Sequence, residues 1–321
     1  MLATAWSRAF GLRAPIVNAP MGGVAGGRLA TAVSAAGGLG MIGMGSTATR
    51  ASLGEQLRFV NSKAGRFGIG LVDWVMRNEA GLLDDALAAG PALLSVSFGT
   101  DWSWVDKAHD AGIPTVTQVY DATGARRAAD AGVDILVARG AEGGGHGEVR
   151  LATLPLLDAV LDAVSLPVLA AGGIASPRSL AAVLAAGASG AWIGTRLAAC
   201  PEALTGDVAR RALIDAAATD TRVTRVFDVG QGLPWPARFP SRVLANDFVA
   251  RWTGQEDALA ADEKVHRELA ASIAAEDPRI APVDAGQGVG MIREEASVAE
   301  VIEQLCAGAH SLLTRWSAPD T

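Results

Sequence analysis

Between residues 15 and 195 one unit recurs: a short apolar run, then an Ala-rich stretch that often closes on Ala-Gly. The runs are Pro15–Asn18, Gly40–Ile42, Phe67–Leu71, Leu93–Ser97, Thr115–Val119, Ile135–Ala138, Val168–Ala170 and Ala191–Ile193. They are apolar almost throughout and do not alternate, which predicts parallel strands covered on both faces. The stretches Leu29–Ala36, Asp84–Ala89, Trp104–Ala111, Ala125–Ala131, Leu154–Val164 and Ser179–Ala186 predict helices. "AAGG" at 35–38, "AAG" at 88–90 and 185–187, and "AG" at 111–112 and 131–132 place glycine just past a helix end. There it takes the left-handed cap conformation at low cost. Eight such units predict an α/β fold, a (β/α)8 barrel, with a doubly wound open sheet as the competing arrangement.

After Thr195 the pattern changes. Residues 201–218 predict a helix, 228–240 a loop with three prolines and two glycines, 241–275 helix again, and 298–314 a last amphipathic helix. The expected organisation is a barrel over 1–200 and a helical extension or lid over 201–321 packed on it.

Composition narrows the function classes. Half of the 321 residues are hydrophobic and 38 are glycine, which fits a large globular core. The net charge is −7 with no basic run, so neither nucleic acid nor an anionic membrane is an expected partner. Two cysteines, Cys200 and Cys306, make no disulfide framework, and a reducing cytoplasm is the expected location. The N-terminal "MLATAWSRAFGLRAPIV" lacks a continuous apolar core of signal-peptide length. No apolar run approaches the roughly 18 residues of a membrane span. The acidic, Ala-rich helices are compatible with a homodimer.

"GLGMIG" (38–43) matches a dinucleotide-binding pattern but follows a helix and leads into a strand, the reverse of what that pattern needs. Gly37 and Gly38 read instead as a helix cap.

Barrel active sites lie in the loops after the strands. After the first run comes "NAPMGGVAGG" (18–27), with a stiffening proline, a methionine and glycines that admit a ligand close to the backbone. "AAGGIASPRS" (170–179) and "IGTRL" (193–197) follow the last two runs, where barrels commonly bind phosphate. They predict a phosphate cup with the Thr195 hydroxyl as an added donor. After Ile135–Ala138 comes "ARGAEGGGHGE" (138–148). His109, His266 and His310 lie on helical stretches with charged neighbours and read as surface residues. His146 follows three glycines in a loop at the catalytic face. The glycines let the loop pass over a flat ligand, and an imidazole, with an ordinary pKa of about 6.5, is a useful acid or base there. Glu142 is open between orienting the loop, binding a ligand and being a solvated carboxylate. No second His or Cys lies at ligand spacing, so no metal is expected.

"PIVNAPMGG" (15–23), "AVSAAGGLGMIG" (32–43), "SFG" (97–99), "ARGAEGGGHG" (138–147), "PVLAAGGIASPRSLAAVLAAGASGAWIGTRL" (167–197) and "GQGVGMI" (286–292) together resemble the nitronate monooxygenase family, formerly 2-nitropropane dioxygenases. The resemblance implies an FMN-dependent (β/α)8 oxidoreductase acting on a small molecule with O2. It implies that Pro20, Met21 and Gly22 lie along the isoalloxazine ring. Gly144, Gly172, Gly173, Gly194 and Thr195 would hold the ribityl phosphate, with Gln118 near the flavin. His146 matches the catalytic histidine, and 286–292 would return near the flavin. The sequence also departs from the family. "EAGGH" is here "EGGGH", with Gly143; the glycine usual two residues after the histidine is Glu148. The asparagine of "FGVN" is Gly70, and glutamines common before the two glycine motifs are Arg139 and Trp192.

The expected reaction is oxidation of alkyl nitronates, or of nitroalkanes after proton removal by His146, to a carbonyl compound and nitrite. An NAD(P)H-dependent FMN reductase of quinones or enoyl thioesters is the first rival; flavin-type enoyl-acyl-carrier-protein reductases also resemble this chain. A flavin-binding protein with little turnover and a flavin-free isomerase or aldolase barrel are the others. Trp102, Trp104, Trp192 and Trp235 are open between lining a pocket and packing.

Overall fold

The computed structural model describes residues 2–61, 63 and 65–315. Its strands are β1 (Ile16–Asn18), β2 (Gly40–Met44), β3 (Phe67–Val72), β4 (Leu94–Ser97), β5 (Thr115–Val119), β6 (Ile135–Arg139), β7 (Gly145–His146), β8 (Val168–Ala171), β9 (Gly190–Ile193), β10 (Thr221–Thr224) and β11 (Ser241–Leu244). Eight of them form one parallel sheet, in the order β1-β9-β8-β6-β5-β4-β3-β2. The ring closes between β1 and β2 by a bridge from Val17 to Leu39 and by one buried side chain. Asn18 accepts from the Met41 amide at 2.7 Å and donates to the Met41 carbonyl at 2.9 Å. A side chain thus does what a ladder hydrogen bond does elsewhere. The fold is the (β/α)8 barrel that the apolar runs predict.

The continuous apolarity of the strands has its cause in two separate cores. Val17, Leu39, Met41, Leu93, Val116, Val137, Leu169 and Trp192 fill the inside of the barrel, where Trp6 and Phe10 from the N-terminal segment join them. Ile16, Ile42, Ile69, Leu94, Leu136, Val168 and Ile193 point outward, against the helices. A strand buried on both faces has no polar positions to show.

Beyond residue 200 the structure differs from the all-helical expectation. β10 and β11 pair antiparallel, and β11 continues onto β7 inside the barrel's own loop. In β11 Ser241 and Val243 are buried while Arg242 and Leu244 are half-buried, a period-two pattern too short to stand out beside the helical sequence that follows. The stretch 228–240 also begins inside a helix, Val226–Gln231. The remaining helices include Asp207–Asp215, Asp247–Trp252, Glu263–Ala274 and Val298–Arg315. This part has its own apolar cluster around Phe227, Val243, Phe248, Trp252 and Leu269. Among the described residues no helix is long and apolar enough to cross a membrane.

Candidate active site

A cavity of about 630 Å³ opens at the C-terminal ends of the barrel strands. That volume lies within the range of small-molecule and cofactor sites. Pro20, Met21, Gly22, Gln118, Gly144, His146, Gly172, Gly173, Gly194 and Thr195 all line it. So the residues singled out in the sequence lie on one surface. Of the four tryptophans, Trp192 and Trp235 line the cavity. Trp104 is buried in the outer core, with Trp102 packed on it.

The cup after β8 and β9 is built from backbone. Gly172 and Gly173 both have left-handed φ, +110° and +69°, which side chains rarely tolerate. Tandem residues of this kind turn bare backbone toward a ligand. The segment 286–288 lies against them. The Gly286 amide donates to the Thr195 hydroxyl oxygen at 2.9 Å, which leaves the hydroxyl hydrogen free to donate elsewhere. A Cβ on Gly144 would come within 2.7 Å of the Ala285 carbonyl carbon, so the two loops meet backbone to backbone.

Arg139 and Arg242 hold the loop that carries His146. Arg139 is only 6% exposed, and its Nη2 donates to the carbonyls of Gly143, Gly144 and Gly145 at 2.9–3.0 Å. Burial lowers its pKa. From the extension, Arg242 donates to the Ala141 carbonyl through Nε at 3.1 Å and Nη2 at 2.9 Å. Glu142 faces the other way: its carboxylate accepts from the Thr153 amide at 2.8 Å and hydroxyl at 2.5 Å. It orients the loop.

The departures from the family pattern have the following surroundings. Gly143 accompanies Arg139, since a Cβ there would lie 3.2 Å from the guanidinium. A Cβ at Gly70 would overlap the Pro20 ring, but Pro20 belongs to the shared motif and does not explain this departure. Trp192 is part of the barrel's inner core. Glu148 sits 3.6 Å from Arg150.

His146 lies between two carboxylates. Its Nε2 is 2.9 Å from Oδ1 of Asp228, which is 4% exposed, and the other Asp228 oxygen is buried without a hydrogen bond. The imidazole stacks on Trp235, with ring centroids 3.6 Å apart and planes 7° from parallel. Trp235 is fixed in turn by an Nε1 bond to Ser46 at 2.9 Å and by edge contacts with Trp74 and Phe98. Asp284 is exposed on the cavity surface, yet the protein close around its carboxylate costs it solvation. Burial pushes its pKa up, against the pull of His146 and of the Ser241 hydroxyl, which donates to it at 2.7 Å. A smaller space of about 190 Å³ adjoins His146, Asp228, Asp284, Ser241 and Gln231.

Asp228 and Asp284 went unread in the sequence as site residues, and Trp235 was left open between lining a pocket and packing. Each sits far along the chain from His146; Asp228 lies in a segment with no motif of its own, whereas Asp284 lies two residues before "GQGVGMI". For Trp235 the signal was the WP pair within a proline-rich loop, and for Asp284 the neighbouring "GQGVGMI". Of the remaining histidines, His109 pairs with Asp134, His266 contacts the Leu259 carbonyl and His310 is exposed. Burial pushes the Cys200 thiol up to about 12, which leaves no thiolate for catalysis at neutral pH.

A flavin mononucleotide suits this donor set. The side-chain-free backbone at Gly172 and Gly173 beside Thr195 fits a phosphate, and Pro20, Met21 and Ile174 offer an apolar surface for a ring system.

The family model described as nitronate monooxygenase matches residues 4–73 and 78–308. A curated relative from Rhodococcus jostii (strain RHA1) is 33% identical over 259 residues, covering 77% of this chain and 67% of its own length. It is named (3aS,4S,5R,7aS)-5-hydroxy-7a-methyl-1-oxo-octahydro-1H-indene-4-carboxyl-CoA dehydrogenase. The solved structure of FabK from Thermotoga maritima superposes with a TM-score of 0.84 at 27% identity, covering 99% of each chain. That of a nitroalkane oxidase from Streptomyces ansochromogenes superposes with a TM-score of 0.80 at 30% identity, covering 97% of this chain and 99% of that one.

Proposed function

This chain belongs to the nitronate monooxygenase family, and from that premise we propose that it is an FMN-dependent enzyme that oxidises alkyl nitronates with O2 to a carbonyl compound and nitrite. The observation that carries the reading is the meeting of His146 and the glycine cup on one cavity. Gly144, Gly172, Gly173, Gly194 and Thr195 would hold the ribityl phosphate. Pro20, Met21 and Gly22 would lie along the ring, with Gln118 near it. FMN, when bound, supplies the electron acceptance and the reaction with oxygen.

The chain's own residues do the rest. A nitronate arrives as an anion and needs no base. A neutral nitroalkane must first lose its α-proton, and His146 takes it. The C–H electron pair then becomes the C=N bond, and the nitro oxygens carry the charge. As an imidazolium, His146 offsets that charge. Trp235 backs the imidazole and keeps water from that face.

A second reading is favoured by the apolar outer part of the cavity, where Leu204, Val208, Leu213, Ile273 and Val283 gather. A reductase or dehydrogenase acting on an apolar acyl thioester would use such a surface, and the Rhodococcus relative is named for a carboxyl-CoA compound.

The visible spectrum of the purified protein tests both readings, followed by anaerobic addition of an alkyl nitronate and, separately, of NADH. A flavin spectrum changed by nitronate but not by NADH supports the oxidase chemistry. Rapid bleaching by NADH moves the assignment to the reductase. A protein that binds no FMN overturns both.

A further inference from the structure

The pair His146–Asp228 sets which imidazole nitrogen does the chemistry. An ionised carboxylate can only accept hydrogen bonds. With Asp228 ionised, Nε2, at 2.9 Å from its Oδ1, carries the hydrogen. A neutral imidazole has one N–H, so its lone pair then sits on Nδ1. Among the described residues Nδ1 makes no hydrogen bond to protein, and His146 lines the cavity. The ring is also held against flipping. Trp235 stacks along its whole face, and turning it over would break the bond to Asp228. The charged groups around the imidazole are Asp228 on the helix Val226–Gln231, Asp284 on the segment facing β11, and Arg139 beneath the loop.

We propose that Asp228 is the positioning residue of His146: its carboxylate keeps the proton on Nε2 and leaves Nδ1 as the nitrogen that takes the substrate's α-proton. In that step the C–H bond of a neutral nitroalkane breaks, an N–H bond forms at Nδ1, and the nitronate keeps the electron pair. Asp228 then faces an imidazolium and balances its charge. The proton returns to solvent when the product leaves. The chemical step rests on the nitronate reading above, whereas the tautomer assignment does not.

The test has two arms. In protein labelled with ring-15N histidine, long-range 1H–15N correlations above the imidazole titration report the tautomer. The His146 signals are identified by their loss in His146→Gln. The expected wild-type form is Nε2–H, and a dominant Nδ1–H form overturns the proposal. In the second arm Asp228→Asn, whose amide can donate to Nε2, lowers turnover of a neutral nitroalkane by about 100- to 10,000-fold. Turnover of the preformed nitronate changes by less than about tenfold, because that substrate needs no base. An equal fall on both substrates marks a merely structural role and overturns the assignment. If the wild type turns over neither substrate, the oxidase reading fails while the tautomer still decides the role of Asp228. If Asp228→Asn does not fold, the wild-type spectrum decides alone.

Discussion

The two halves of the cavity are made of different material. The barrel half offers bare backbone at its cup: Gly172 and Gly173 in left-handed turns, Gly144 meeting the backbone of Ala285 and Gly286 from the extension, and a loop whose carbonyls are tied to Arg139. The extension half is side chains: Asp228 and Trp235 converge on His146, while Asp284 and Ser241 pair beside it. Backbone recognises a shape that every ligand of one class shares. Side chains select a proton position and a partner. The barrel is thus suited to a constant group, and the extension to what varies.

Substitutions in the two halves separate these roles. The largest effect is expected for His146→Ala, which should lower turnover of a neutral nitroalkane by about 100- to 10,000-fold, near 3–5 kcal/mol of barrier. Flavin content should stay at the wild-type level; loss of flavin in this variant would mean that the halves are not separable. Next comes Trp235→Ala, which removes a buried ring from a cluster with Trp74, Phe98 and His146. Chemical denaturation should show a loss of about 3–5 kcal/mol. Gly144→Val drives a side chain into the backbone of Ala285 and Gly286, which cannot yield as a flexible side chain would. A loss of about 1–3 kcal/mol is expected, and dialysis should strip flavin from it faster than from wild type.

The smallest effect concerns pH. Asp284 has its pKa raised by burial, so the folded state disfavours its charged form. Stability from this group is therefore full below the ordinary carboxylate pKa and is lost as pH rises through the raised one. Asp284→Asn keeps an acceptor for Ser241 and removes the charge. It should melt higher than wild type at neutral pH and no higher in acid. A variant that melts lower at neutral pH would show that the ion pairing with His146 and Arg139 outweighs burial.

The barrel was easy to read because each strand is buried on two faces, so its sequence carries the signal without help from neighbours. All eight barrel strands fall within two residues of the apolar runs. β7 and β11 were invisible for the opposite reason. Gly145–His146 forms a strand only because Ser241 and Arg242 come alongside it. Likewise "EGGGH" announces a histidine in a bare loop, but nothing near it announces Asp228, 82 residues away.

Individual roles for the ten residues around its mouth came from the family resemblance, whereas the sequence by itself determined the barrel and the glycine-rich loops at its strand ends. Those follow from local rules: strand periodicity, helix caps, and loops at strand ends. Only the tertiary structure decided that Arg139 secures the loop and that Asp228, Trp235 and Asp284 surround His146. Hydrogen bonds and ring stacking act over about 3–4 Å in space whatever the separation along the chain. A pair of residues distant in sequence therefore leaves no local trace until the fold brings it together.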